Sequence, residues 1–179
     1  MGAVPSTRGC GVACDDCVQE ETVPIDEQKI TIATTEPKFT QTLWILVFTG
    51  HPKDIQSTRV TELYIVFNEN ESHNLTIQVL GQHPSFRVKE IWNQPPPRAR
   101  PRFYRRLAVS TLGVDSESDS RLRDTIWTTR VNNSESDWGC QSWVGDVLTV
   151  LQDANLITDE EGDFALNGMV NYISQAPWR

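Results

Sequence analysis

The chain has 179 residues, 38% hydrophobic and 22% charged, which suits one domain with a real core and an ordinary soluble composition. Its formal net charge of −8 argues against nucleic acid as a partner, because binding phosphates needs a basic face. No run of about 18 apolar residues occurs, and no apolar stretch follows a basic start. Neither a membrane span nor a secretory signal is therefore expected, and the expected location is cytoplasmic. The Asn-x-Ser/Thr triplets at Asn70, Asn74 and Asn132 are then expected to stay unglycosylated.

Residues 1–28 are poor in large apolar side chains and read as a flexible tail, with a single domain over 29–179. "MGAVPS" fits the myristoylation pattern through Gly2 and Ser6. One acyl chain binds membranes only marginally, so Cys10, Cys14 and Cys17 would supply palmitoylation as a second anchor for peripheral membrane contact. The acidic Asp15, Asp16, Glu20 and Glu21 oppose that contact. The same thiols read C-x3-C-x2-C, a cluster-binding spacing, but the chain is short for the associated barrel and no fourth zinc ligand lies near. No metal and no cofactor are expected.

Order is expected from Lys29, with "KITIAT" as an edge strand. "TQTLWILVFT" (40–49) is a continuous apolar run suited to a strand covered on both faces. "RVTELYIVFN" (59–68) alternates Val60, Glu62, Tyr64, Val66 against Thr61, Leu63, Ile65, Phe67. "NENESHN" reads as a polar turn, and "LTIQVLG" (75–81) alternates again. "SFRVKEIW" (85–92) and "RRLAVSTLG" (105–113) complete five strands. Between them "NQPPPRARP" excludes regular structure, since proline lacks an N–H and restricts its predecessor; a stiff loop, or a lid over a cleft, is the expectation. "RARPRFYRR" (98–106) holds five of the twelve arginines and reads either as a solvated loop or as an anion or RNA contact.

Beyond this the period lengthens. "SESDSRLRDTIWTTR" (116–130) places Leu122 and Ile126 at helical spacing. Cys140, Trp143, Val144, Val147, Leu148 and Leu151 make one apolar stripe of a second helix, and "EGDFALNGMVNYISQAP" (161–177) is a third, stopped before Pro177. The fold class expected is α+β: a small antiparallel sheet followed by packed helices.

Cys140 stands where a helix N-terminus favours a thiolate, yet also on the buried stripe, where a cysteine is simply core. A nucleophilic thiol needs a base, usually histidine, and a group to orient it. "WGCQSWVGDVLTVLQDANLI" resembles the cysteine helix of a group of uncharacterised fungal proteins and, more distantly, that of the circularly permuted papain-like proteins of the NlpC/P60 and lecithin:retinol acyltransferase type. That resemblance implies a nucleophile opening a helix packed on an antiparallel sheet, with a histidine earlier, at the start of a strand. "VTELYIVFNENESHNLTIQVLG" (60–81) is similar to that segment, but the histidine position falls at Glu62. His73 is the best substitute base, with Gln78 or Glu62 as orienting groups. Trp138, Trp143 and Tyr64 are expected to line an apolar cleft.

Three functions follow as expectations. The first is a cysteine-dependent hydrolase or acyltransferase acting on a small molecule through Cys140. The second is a non-covalent cyclase or isomerase on the same scaffold, using carboxylates, with fungal secondary metabolism as the setting the resemblance suggests. The third is a non-catalytic, lipid-anchored binding module.

Overall fold

The computed structural model describes residues 37–178. The expected tail, the 29–34 strand, Gly2, Cys10, Cys14 and Cys17 lie outside the described residues. The described chain forms five strands and then three α-helices: β1 (Phe39–Phe48), β2 (Val60–Phe67), β3 (Asn70–Leu80), β4 (Arg87–Trp92), β5 (Phe103–Val114), α1 (Arg121–Thr128), α2 (Cys140–Asp153) and α3 (Asp159–Ser174). The strands pair antiparallel in the order β4-β3-β2-β1-β5. The fold class is the expected α+β.

Alternation along the strands decides what each face meets. Leu43, Ile45 and Val47 of β1, Leu63, Ile65 and Phe67 of β2, and Leu75, Ile77 and Val79 of β3 point to the helices. There they meet Trp143, Val144, Val147, Leu148 and Leu151, the apolar stripe of α2. Fully burying each such side chain contributes roughly 1.5–3 kcal/mol. The other face carries a smaller cluster of Leu46, Phe48, Tyr64 and Val66.

α3 shows how a helix start is written locally. Thr158 Oγ1 accepts from the Glu161 N–H at 3.2 Å, and Glu161 Oε2 accepts from the Thr158 N–H at 2.8 Å. This reciprocal box satisfies two donors that the first turn leaves without partners.

β3 begins earlier than the alternation predicts. The turn before it is only Asn68 and Glu69, both left-handed at φ 51° and 57°, the geometry of a two-residue hairpin whose twist matches the strands. Asn68 Oδ1 fixes the turn by accepting from the Thr40 N–H at 2.9 Å. The polar run 70–73 is therefore strand rather than turn. Phe67 pairs with Asn70 but Val66 with Asn74, so residues 71–73 bulge with no partner on β2.

β4 and β5 lie at opposite edges of the sheet, so their connection must cross four strand gaps, about 19 Å. Residues 93–102 make that crossing over the face the helices leave open, with one short 3₁₀ turn at Pro97–Ala99. Asn93 and Arg102, where the strap leaves β4 and enters β5, both have positive φ, at 53° and 62°.

Candidate functional site

Two pockets hold part of the set singled out from the sequence, Cys140 and Trp138 in one and Glu62 and Gln78 in the other, and the sheet separates them. One lies at the start of α2, on the helix side. The other lies under the 93–102 strap, on the open face.

The α2 pocket encloses about 530 Å³ and is lined by Arg59, Phe86, Asp137, Trp138, Cys140 and Gln141, among others. Cys140 is half-buried as the first residue of the helix and packs against the main core. Trp138 lies beside it, its ring edge-on to Phe86 at 5.4 Å and its Nε1–H donating to Asp146 at 3.0 Å. The polar groups nearby already have partners. Arg59 donates through Nε and Nη2 to Asp54 at 2.9 and 2.8 Å and through Nη1 to the Tyr172 carbonyl, while its guanidinium covers the Tyr104 ring. Gln141 Nε2 donates to the carbonyls of Gln56 and Arg59, both at 2.8 Å. Among the described residues, no histidine lines this pocket.

The expected partners of Cys140 are elsewhere. Glu62 and Gln78 lie on the open face of the sheet, across its thickness from the thiol. His73 is exposed and stacks on Phe67 at 4.7 Å, with Trp92 against both rings. Phe67 ends β2, whereas Gln141 ties α2 to Arg59, just before that strand. Eight residues of strand, roughly 25 Å, separate the two ends. The grouping of Cys140 with His73, Glu62 and Gln78 is thus corrected: two are across the sheet and one is at its far end. Trp143 and Tyr64 are corrected as well. Trp143 is fully buried in the core, its Nε1–H directed at the Thr129 carbonyl at 3.4 Å, and Tyr64 is fully buried on the open face. Neither lines a cleft, because each fills the space where the layers meet.

The open-face cavity encloses about 440 Å³, between Glu62, Gln78 and Leu80 of the sheet and Gln94, Pro95 and Arg100 of the strap, among others. It brings Glu62 and Gln78 together, one step beyond the Leu63–Ile77 pair. Glu62 is only 5% exposed, and its Oε2 accepts from Arg100 Nη2 at 2.6 Å. Burial pushes the Glu62 carboxyl above its ordinary range, and the Arg100 charge and hydrogen bond only partly oppose this. Arg100 stacks over Phe48 at 4.7 Å, and its Nη1 is buried without a hydrogen-bond partner among the described residues. An orphaned guanidinium N–H is costly in a folded protein.

The strap is fastened at both ends. Asn74, fully buried, accepts from the Gln94 N–H at 3.0 Å and donates to the carbonyls of Gln94 and Glu71 at 3.0 and 2.7 Å. At the other end, the Thr49 N–H donates to the Arg102 carbonyl at 2.8 Å. Asn74 was visible in the sequence only as a glycosylation triplet, and nothing local marked it as a clamp. Arg100 was visible only as one arginine of five.

Among the described residues, two of the five arginines of 98–106 are ion-paired, while Arg98, Arg102 and Arg105 are exposed. Arg100 pairs with Glu62, and Arg106 pairs with Glu71 at 2.7 Å while covering Trp44. Arg105 stacks on Tyr104.

Among the described residues no group of three or more His, Cys, Asp or Glu could hold a metal ion. No described helix is long and apolar enough to cross a membrane. No protein-family model, curated protein or solved structure matches the chain significantly.

Proposed function

We propose that the chain is a non-covalent enzyme that moves a proton on a small molecule held between the strap and the open face of the sheet. One observation carries the reading: a buried carboxylate, Glu62, stands in the wall of a 440 Å³ cavity with one guanidinium against it. The cavity is of a size that takes small ligands. Burial raises the carboxyl toward the working range of an acid–base catalyst. In its neutral form Glu62 delivers a proton to a substrate oxygen or carbon. In its charged form it takes one from a neighbouring C–H, whose electron pair moves into the adjacent double bond. Arg100 holds the oxygen on which negative charge gathers. The sum is an isomerisation or cyclisation with no bond to the protein.

The test is deuterium wash-in. A panel of small ketones and unsaturated carboxylic acids is incubated in D₂O and followed by proton NMR. Exchange next to a carbonyl should appear for at least one compound, vanish in Glu62→Gln and persist in Cys140→Ala. Exchange that survives Glu62→Gln would overturn the proposal.

A second reading is favoured by the half-exposed thiol of Cys140, at a helix start and facing a 530 Å³ pocket: acyl or amide chemistry at that thiol. It lacks a histidine to take the proton. Turnover of a thioester or amide that disappears in Cys140→Ala would support it over the first.

A further inference from the structure

The cavity under the strap has a charge opposite to that of the whole chain. Its lining holds one acidic residue, Glu62, and two basic ones, Arg100 and Arg102, a local balance of +1 in a protein of −8. The rest of the lining divides between apolar side chains, such as Phe48, Val60 and Leu80, and the carboxamides of Gln78 and Gln94. Arg100 uses one Nη on Glu62 and leaves the other buried without a partner. A guanidinium fork is built to bind two oxygens side by side, and here one place is taken.

The place left open decides the ligand. Arg100 is carried by the strap and not by the sheet, and an acceptor on an incoming molecule would fill the place that its Nη1 leaves open. The groups facing Glu62 come from every neighbouring element. β1 offers only Leu46 and Phe48, β3 offers Gln78 and Leu80, and β2 offers Val60 and Tyr64 on the same face. The cavity lining draws its positive charge from the strap, through Arg100 and Arg102, and β4 adds Lys89 and Arg87 on the same face, opposite Gln78 and Leu80. An incoming anion would share Arg100 with the Glu62 carboxylate, and two negative charges on one buried guanidinium repel each other. Anion binding at Arg100 therefore favours the neutral form of Glu62.

On the reading of the cleft as the active site, we infer that its substrate is a small organic monoanion, a carboxylate on an apolar body, and that each anion enters together with one proton taken up by Glu62. The anion's oxygens take the Arg100 guanidinium, the proton from solvent forms an O–H on Glu62, and the cluster keeps its charge. Glu62 is thereby loaded as the acid for the first proton delivery.

The experiment is isothermal titration calorimetry of the full chain with benzoate, phenylacetate and cinnamate, each against its neutral amide, in two buffers of different ionisation enthalpy. At least one acid should bind with uptake approaching one proton at neutral pH, and its affinity should fall up to about tenfold per unit as pH rises. The matched amide should bind with no proton uptake and about tenfold or more weakly. Glu62→Gln should abolish the uptake and the pH dependence, and Arg100→Gln should abolish the preference for the acid. The proton count is read on the wild-type chain, so it stands even where a variant fails to fold. An acid that binds without proton uptake, or no better than its amide, overturns the inference and leaves the cleft as a site for neutral molecules. If no acid or amide binds, or if binding is untouched by both variants, the inference and the reading of the cleft fall together.

Discussion

Arg100→Met removes one partner of an ion pair whose side chains are 12% and 7% exposed. A buried charge left without its partner typically costs about 3–5 kcal/mol. That cost depends on whether Glu62 is charged. Its carboxyl is already held above the ordinary 4.5 by burial, against the pull of Arg100, and without Arg100 it rises further. A carboxyl raised in the folded state keeps its full share of stability below the unfolded value of 4.5. It loses that share as pH rises through the folded value, at about 1.4 kcal/mol per pH unit between the two. The loss in Arg100→Met should therefore be smaller at pH 5 than at pH 8. Urea unfolding of both chains at the two pH values measures it. Glu62→Leu combined with Arg100→Met removes both charges and should recover most of the loss. An equal loss at both pH values, or a double variant no better than the single, would refute the electrostatic reasoning. The stack of Arg100 on Phe48 would then be what the substitution destroys.

Thr158→Ala should cost about 1 kcal/mol in the same unfolding assay by opening the box at the start of α3. The Thr158 N–H, above all, holds the Glu161 carboxyl below its ordinary value. Its share of stability is present above the unfolded value and lost as pH falls through the folded one, so Glu161→Gln should remove that part of the acid sensitivity in the same assay. Asp54, lowered to about 2 chiefly by its hydrogen bond with Arg59, should add acid sensitivity between about pH 4 and 2, and Asp54→Asn should remove that part of the acid transition. Asn74→Ala should loosen the strap, read as faster amide exchange at Gln94, and should cost about 1–3 kcal/mol through the unpaired Gln94 backbone.

Much of the fold was legible because one signal governs it. Alternation in 60–67 sends one set of residues to the helices and the other to the open face, the stripe from Cys140 to Leu151 reports a single buried face, and all are where the periods put them. The hairpin was harder. The polar run 68–74 looks like a turn, yet only Asn68 and Glu69 turn; Asn70 and Asn74 pair with β2, and 71–73 bulge between them. The site was legible in parts and wrongly assembled. Glu62 alternates with Tyr64 and Val66 and against Leu63 and Ile65, so its face differs from that of the helix-bound residues. That alternation alone separates Glu62 from Cys140, which belongs to the helix stripe on the opposite side. The meeting of Glu62 with Arg100 was not legible, because it follows from the strand order. Only when β5 joins the edge beside β1 does the proline-rich connection have to cross the open face.

The most direct measurement is a ¹⁵N NMR titration of the full chain with the carboxylic acid that binds best. Shifts should gather at residues 60–62, 78–80 and 94–102, around the cavity under the strap. Shifts gathered instead at 136–142, around Cys140, would contradict the assignment and move the chemistry to the other side of the sheet.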